Sequence, residues 1–183
     1  MWKDVLPIGP VLFLLVVSVL ERVTPNYDWR RNYVSELALK KYGWMQRMNL
    51  VIYGVWLVIL SLVLAQKSQA GGWLWGIMAG AVTIGAGIWN TNAQGEALTL
   101  PGKIHNWMYR IGTLATGGVL LVVGWEFKSH PAIWAWSWGV AVFNLLWWTL
   151  APRLGVKLGI AQRMVIYTTT VWLTIMAAWI MWR

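Results

Sequence analysis

The chain has 183 residues, a formal net charge of +9, 58% hydrophobic residues and only 11% charged residues. Soluble domains carry about 25% charged residues, and a soluble chain of this length could not bury so much apolar surface in one core. The hydrophobicity excludes a disordered chain, and the absence of cysteine excludes a disulfide scaffold or a cysteine-ligated metal site. Composition therefore predicts an integral membrane protein.

Six apolar segments are long enough to be membrane spans, because a helix needs about 20 mostly apolar residues to cross the hydrocarbon layer. Apolar residues run continuously in each segment and do not alternate as they do in the strands of an outer-membrane barrel. The predicted spans cover residues 5–20, 48–65, 72–89, 106–125, 131–150 and 160–182. We expect a single all-α domain over residues 1–183, a polytopic six-helix transmembrane bundle.

The basic residues are divided unequally between the two sides of this bundle. Eleven of the 15 lie in or beside the first, third and fifth loops: Arg22, Arg30, Arg31, Lys40, Lys41, Arg47, Lys103, Arg110, Arg153, Lys157 and Arg163. The other side has Lys3, Lys67, Lys128 and Arg183. Because basic loops stay in the cytoplasm, we expect a cell-membrane protein of the prokaryotic inner-membrane type with both termini outside. Anionic membrane lipids are the expected partners; nucleic acid is not, because the bases are spread over short loops.

The first loop, residues 21–47, is predicted to contain a short cytoplasmic amphipathic helix. Residues 29–41 favour a helix, with Asp28 as N-cap and Gly43 as terminator. Trp29, Tyr33 and Leu37 recur every four residues and form one stripe. We expect this segment to lie in the interface plane or to fold under the bundle.

Unusual polar residues concentrate at the same end, in the first loop and at the start of the fourth span. A guanidinium that enters a membrane needs a partner, so we predict that Arg110 pairs with Glu36; the alternative is that Arg110 extends to the surface. We expect one polar cluster, formed by Tyr27, Asp28, Arg31, Ser35, Glu36, His105, Tyr109 and Arg110.

The 17 tryptophans and the glycines of the third span have packing explanations. Tryptophans near span ends are typical of an interfacial belt. A pigment pocket lined by Trp134, Trp136 and Trp138 is disfavoured, because alternate positions point around a helix and cannot line one wall. Gly76 and Gly80 are four residues apart, a spacing that predicts close packing on a neighbouring helix, with a homodimer as the alternative.

Three motifs resemble those of the membrane family known as domain of unknown function 998. The first is Tyr33-Val-Ser-Glu-Leu-Ala-Leu followed by Tyr42-Gly-Trp-Met-Gln, the second is Thr99-Leu-Pro-Gly-Lys-Ile-His, and the third is Gly159-Ile-Ala-Gln-Arg. They occur in the family's order and cover almost the whole chain. The resemblance implies a small multi-helix membrane protein and brings no established activity.

These sequence patterns specify the architecture of the protein more closely than its function. His105 and His130 are the only histidines and are predicted on opposite faces, so a zinc site is not expected. The chain also lacks a nucleotide fingerprint, and we expect no cofactor.

We favour a protein that binds a lipid or lipophilic molecule, or supports a membrane partner, without catalysis. One alternative is a lipid-directed hydrolase or transferase in which His105 activates Ser35, with Glu36 or Asp28 orienting the imidazole. A small transporter is the second alternative.

Overall fold

The computed structural model of the chain describes residues 6–66 and 72–181. Over those residues the chain is all-helical, without strands. The elements are α1 (Ile8–Val23), a 3₁₀ helix (Val34–Leu39), α2 (Gly43–Ala65), α3 (Gly72–Ile88), α4 (Leu100–Glu126), α5 (Pro131–Arg153) and α6 (Leu158–Met181). Each α-helix overlaps one predicted span. The outer ends of the first and sixth predicted spans, and most of the predicted loop at residues 66–71, lie outside the described residues.

The helix α4 begins well before the apolar run that predicted it. Thr99 is the N-cap, and its hydroxyl oxygen accepts a hydrogen bond from the Gly102 amide at 3.2 Å. Pro101 lies in the first turn, where a missing amide proton costs nothing. Capping therefore extends the helix into a polar stretch that hydropathy alone does not mark.

The predicted helix over residues 29–41 is wrong in extent. The Asn32 side-chain oxygen accepts from the Asp28 amide at 2.9 Å, and the Asp28 carboxylate accepts from the Arg30 amide at 3.0 Å. Such local bonds compete with helix formation, and regular structure is confined to the six-residue 3₁₀ helix. Its residues Val34 and Leu37 are buried in an apolar cluster with α1, so the segment folds against the bundle.

The six α-helices form a closed ring. Each helix packs on the next one along the chain, and α1 also packs on α6. The 3₁₀ helix contacts α1, α2 and α6 at one end of the ring, which we call the loop-one end. The helices α2, α4 and α6 begin at this end, and α1, α3 and α5 finish there.

The helices α2 and α3 approach closely through glycine. A Cβ atom on Gly54 would lie 2.7 Å from the carbonyl oxygen of Gly80, and one on Gly80 would lie 2.7 Å from the carbonyl oxygen of Gly54. Only residues without side chains permit this backbone approach. The predicted packing of the Gly76–Gly80 stripe on a neighbouring helix is therefore confirmed.

Among the helices that the structure describes, two are long and apolar enough to cross a membrane, Gly43–Ala65 and Leu100–Glu126. Large apolar side chains are also exposed along most of the outer surface of α2, at Trp44, Met48, Ile52, Val55, Ile59 and Leu62. Soluble monomers rarely expose apolar patches of that extent. Both observations are compatible with a membrane protein.

Candidate functional site

A cavity of about 230 Å³ lies inside the ring and is lined by residues of all six α-helices and the 3₁₀ helix. Its lining residues on α2 run from Gln46 to Leu64. At about 1.5 Å per helical residue, this distance is about 27 Å, so the cavity is long and narrow. It follows the ring axis from the loop-one end toward the opposite end.

Several polar groups that line the cavity are already bonded within the protein, among them the Asn144 amide, which donates to the Thr169 hydroxyl at 2.8 Å. The hydroxyl groups of Ser61 and Thr83 donate to the carbonyl oxygens of Leu57 and Ala79, both at 2.7 Å. A hydroxyl bonded in this way presents a largely satisfied group to the cavity. These lining groups are therefore satisfied without a ligand.

Gln46 differs from these residues. It lines the cavity at the loop-one end and is completely buried. Neither its amide nitrogen nor its amide oxygen has a hydrogen-bond partner among the described residues. Buried polar side chains are nearly always paired, so this amide is an unusual group inside the ring.

His105 and Ser35 line the same end of the cavity. The His105 Nδ1 atom donates to the backbone carbonyl of Trp89 at 2.9 Å. Because a carbonyl only accepts, the proton of neutral His105 lies on Nδ1 and the lone pair on Nε2. This bond fixes the imidazole on the end of α3. It also means that the hydrogen bond formed by Nδ1 goes to the backbone, not to Ser35.

The charged centre of the loop-one end is Arg163, which is 2% exposed. Its Nε and Nη2 atoms donate to one carboxylate oxygen of Glu21 at 2.8 and 2.6 Å. Nη1 donates to the backbone oxygens of Asn32 and Gly159, and Nη2 also donates to the Tyr27 hydroxyl. These bonds join α1, loop one and α6. Burial raises the pKa of the Tyr27 hydroxyl against the opposing effect of the guanidinium, so Tyr27 stays neutral.

Glu36 is the second organising group of loop one. It is 2% exposed and accepts hydrogen bonds from the Tyr33 amide at 3.0 Å, the Asn32 side chain at 2.9 Å and the Gln94 side chain at 3.0 Å. Gln94 belongs to the loop between α3 and α4, so Glu36 connects the two long loops. The carboxylate therefore has a structural role here.

The predicted pairing of Arg110 with Glu36 is wrong. Arg110 is exposed, and its guanidinium lies 5.3 Å from the ring centroid of Trp107. Three neutral donors already surround Glu36, while Arg110 remains at the surface, which was the predicted alternative.

The predicted polar residues thus divide into three groups at the loop-one end. Tyr27 and Glu36 belong to the buried hydrogen-bond networks of loop one. Ser35, His105 and Tyr109 line the cavity. Asp28 and Arg31 form an exposed ion pair at 3.5 Å, and Arg110 is exposed.

Sequence reasoning missed the roles of Gln46, Gln162 and Arg163. Gln162 lines the cavity and accepts from the Val34 amide at 2.7 Å, which attaches the 3₁₀ helix to α6. The sequence did contain a signal for all three residues, because each lies at or next to the end of one of the three motifs that resemble the DUF998 family. Arg163 was counted only among the basic residues that set orientation.

Among residues 6–66 and 72–181, no group of three or more histidine, cysteine or acidic side chains is placed to hold a metal ion. His105 lies at the loop-one end, whereas His130 precedes α5 at the opposite end of the ring.

The family comparison covers residues 7–179, which match the model described as Protein of unknown function (DUF998). The chain belongs to the DUF998 family. Searches of curated proteins and of solved structures found no match. The family assignment agrees with the three motifs identified in the sequence. In the structure these motifs supply Glu36, Gln46, His105 and Arg163 to the loop-one end.

Proposed function

We propose that this DUF998 protein is a multi-pass membrane protein that binds a lipid or another lipophilic molecule in the cavity of its helix ring, without catalysis. The long, mostly apolar cavity is the observation that carries this proposal. Ligand sites are typically concave, apolar and equipped with a few polar groups that orient the ligand. Gln46, Ser35 and His105 are such groups at one end.

The proposal includes six membrane-spanning helices with the loop-one end in the cytoplasm. Outward-facing apolar side chains along the helices support a lipid environment. The concentration of basic residues in the loops of this end supports the orientation. In that arrangement loop one and its 3₁₀ helix form a cytoplasmic cover over one end of the cavity.

The test compares the lipid that co-purifies with the wild type and with a variant whose cavity is filled by a larger side chain. Thr116 lines the cavity, so Thr116→Phe should exclude a ligand from it. Leu114 lies on the same helix and is 62% exposed, so Leu114→Phe adds an equal ring to the outer surface as a control. Native mass spectrometry should show a retained lipid in the wild type and in Leu114→Phe, and its loss in Thr116→Phe. Equal retention in both variants, or no retained lipid in the wild type, would contradict the proposal.

Lipid hydrolysis is a second candidate because Ser35 and His105 line the same cavity. A neutral imidazole with its proton on Nδ1 and its lone pair on Nε2 is the form that a general base needs. Turnover of neutral lipid esters that is lost in both Ser35→Ala and His105→Ala would favour this candidate. Turnover that is absent, or unchanged in both variants, would remove it.

A further inference from the structure

The cavity differs in chemistry between its two ends. Gln46 and His105 line the loop-one end, whereas Leu64, Val123 and Met176 line the opposite end. A molecule that fills such a cavity in one orientation has a polar group at one end and a chain at the other. This inference rests on the proposed function and concerns the kind of lipid bound.

The unpartnered amide of Gln46 specifies the hydrogen bonding of that polar group. It lies within the fold, 0% exposed, and it has no partner among the described residues. An amide presents two N–H donors and one carbonyl acceptor. The group that best satisfies it therefore accepts one hydrogen bond and donates another.

The charges around the cavity restrict the polar group further. Of the described residues that line the cavity, none carries a carboxylate, an ammonium or a guanidinium group. A charged head group would be buried without a counter-charge, which is strongly unfavourable. Arg163 and Glu21 are nearby in the fold, but they are bonded to each other and do not line the cavity.

We propose that the cavity holds a single-chain lipid with an uncharged hydroxyl or amide head group. The head group forms hydrogen bonds to Gln46, and the chain extends toward Leu64 and Val123. A narrow cavity about 27 Å long accommodates one chain in an extended conformation.

The experiment compares ligands that share one chain and differ in the head group. Purified protein in detergent is titrated with hexadecanol, hexadecanamide, hexadecanoate, hexadecyltrimethylammonium and hexadecane, and binding is followed by native mass spectrometry. The wild type should bind the alcohol and the amide at least about tenfold more tightly than either ion or the alkane. Equal affinity for the charged and uncharged head groups would overturn the proposal.

Two variants on the same helix assign the selectivity to Gln46. In Gln46→Met the alcohol should bind no more tightly than the alkane, and the Tm without ligand should rise by about 2 to 4 °C because an unpaired buried amide is removed. Asn49 is the control: its side chain donates to the Phe13 carbonyl at 3.2 Å and does not line the cavity. Asn49→Met should lower the Tm and leave head-group selectivity unchanged.

The outcomes separate this inference from the proposed function. Selectivity that persists in Gln46→Met, or a Tm that falls as it does in Asn49→Met, shows that the amide has an internal role and overturns the inference alone. Binding of all five ligands with equal affinity, abolished by Thr116→Phe, also overturns the inference while the cavity remains a lipid site. Wild-type binding that Thr116→Phe does not change overturns both.

Discussion

Arg163 of α6 and Glu21 of α1 form a two-donor ion pair at 2.8 and 2.6 Å, although 142 residues separate them in the chain. The side chains are 3% and 13% exposed. The same guanidinium binds the backbone of loop one through Asn32. The pair therefore closes the helix ring between its first and last helices and holds loop one at the same point.

Removal of this guanidinium should destabilise the protein strongly. Arg163→Met leaves the Glu21 carboxylate partly buried and unpaired, and we expect a loss of about 3 to 5 kcal/mol in the free energy of unfolding. Arg31→Met is the control, because Arg31 and Asp28 form a pair whose side chains are 72% and 47% exposed. The control should change stability by less than about 0.5 kcal/mol. Denaturant unfolding in detergent measures both, and similar effects would contradict a special role for Arg163.

The contact between Gly54 and Gly80 should not tolerate a larger residue. Gly80→Leu places a side chain where even a Cβ atom lies 2.7 Å from the opposing carbonyl oxygen, and a loss of about 1 to 3 kcal/mol is expected. Gly139 in α5 has open space around its Cβ position. Gly139→Ala should instead stabilise the helix by about 0.5 to 1 kcal/mol. Thermal unfolding should show opposite signs, and a neutral Gly80→Leu variant would refute the close packing.

Alkaline pH should weaken the junction at Tyr27. Burial raises the pKa of its hydroxyl above the ordinary value of 10.0. The unfolded chain therefore releases this proton first, so stability is fully present below pH 10.0 and declines as the pH rises above that value. Tyr27→Phe should lower stability at neutral pH, because the hydroxyl donates to the Tyr33 carbonyl at 2.9 Å, and should flatten the alkaline decline. Parallel Tm profiles for the two proteins would contradict the prediction.

The proposed orientation predicts which loops are accessible from outside the cell. The chain has no cysteine, so each introduced cysteine is unique. Ser129→Cys lies in the exposed turn before α5, and Ala97→Cys lies in the exposed loop before α4. A membrane-impermeant maleimide should label position 129 in intact cells and position 97 only after permeabilisation. The reverse pattern would invert the topology, and labelling of both positions in intact cells would refute it.

The helices were predictable because a continuous apolar run is a sufficient signal for a buried or lipid-facing helix. The ends of the helices were less predictable, because a helix end is marked by one polar capping residue, such as Thr99, and not by a run of residues. Loop one was misjudged for a related reason. Asp28 and Asn32 were interpreted by helix spacing, whereas their side chains bond to nearby amides and favour turns.

The site was only partly predictable. Ser35, His105 and Tyr109 were found because polar residues at one end of an apolar bundle are rare. Arg163 was missed because its partner depends on α1 packing against α6, and hydropathy does not encode which helices are neighbours. Gln46 was missed because a polar residue in the first turns of a span usually faces the interface. Its burial follows from ring closure.

The contact of α1 with α6 also has a consequence for biogenesis. The ribosome synthesises α1 long before α6, so Glu21 has no Arg163 to pair with until 142 further residues have been made. Contacts of such long sequence separation form late in folding. Until α6 docks, the growing bundle lacks one side wall. In the proposed membrane arrangement, its interior is then open sideways to the bilayer. In a membrane, a lipid can then be enclosed during assembly, without passing between helices that are already packed.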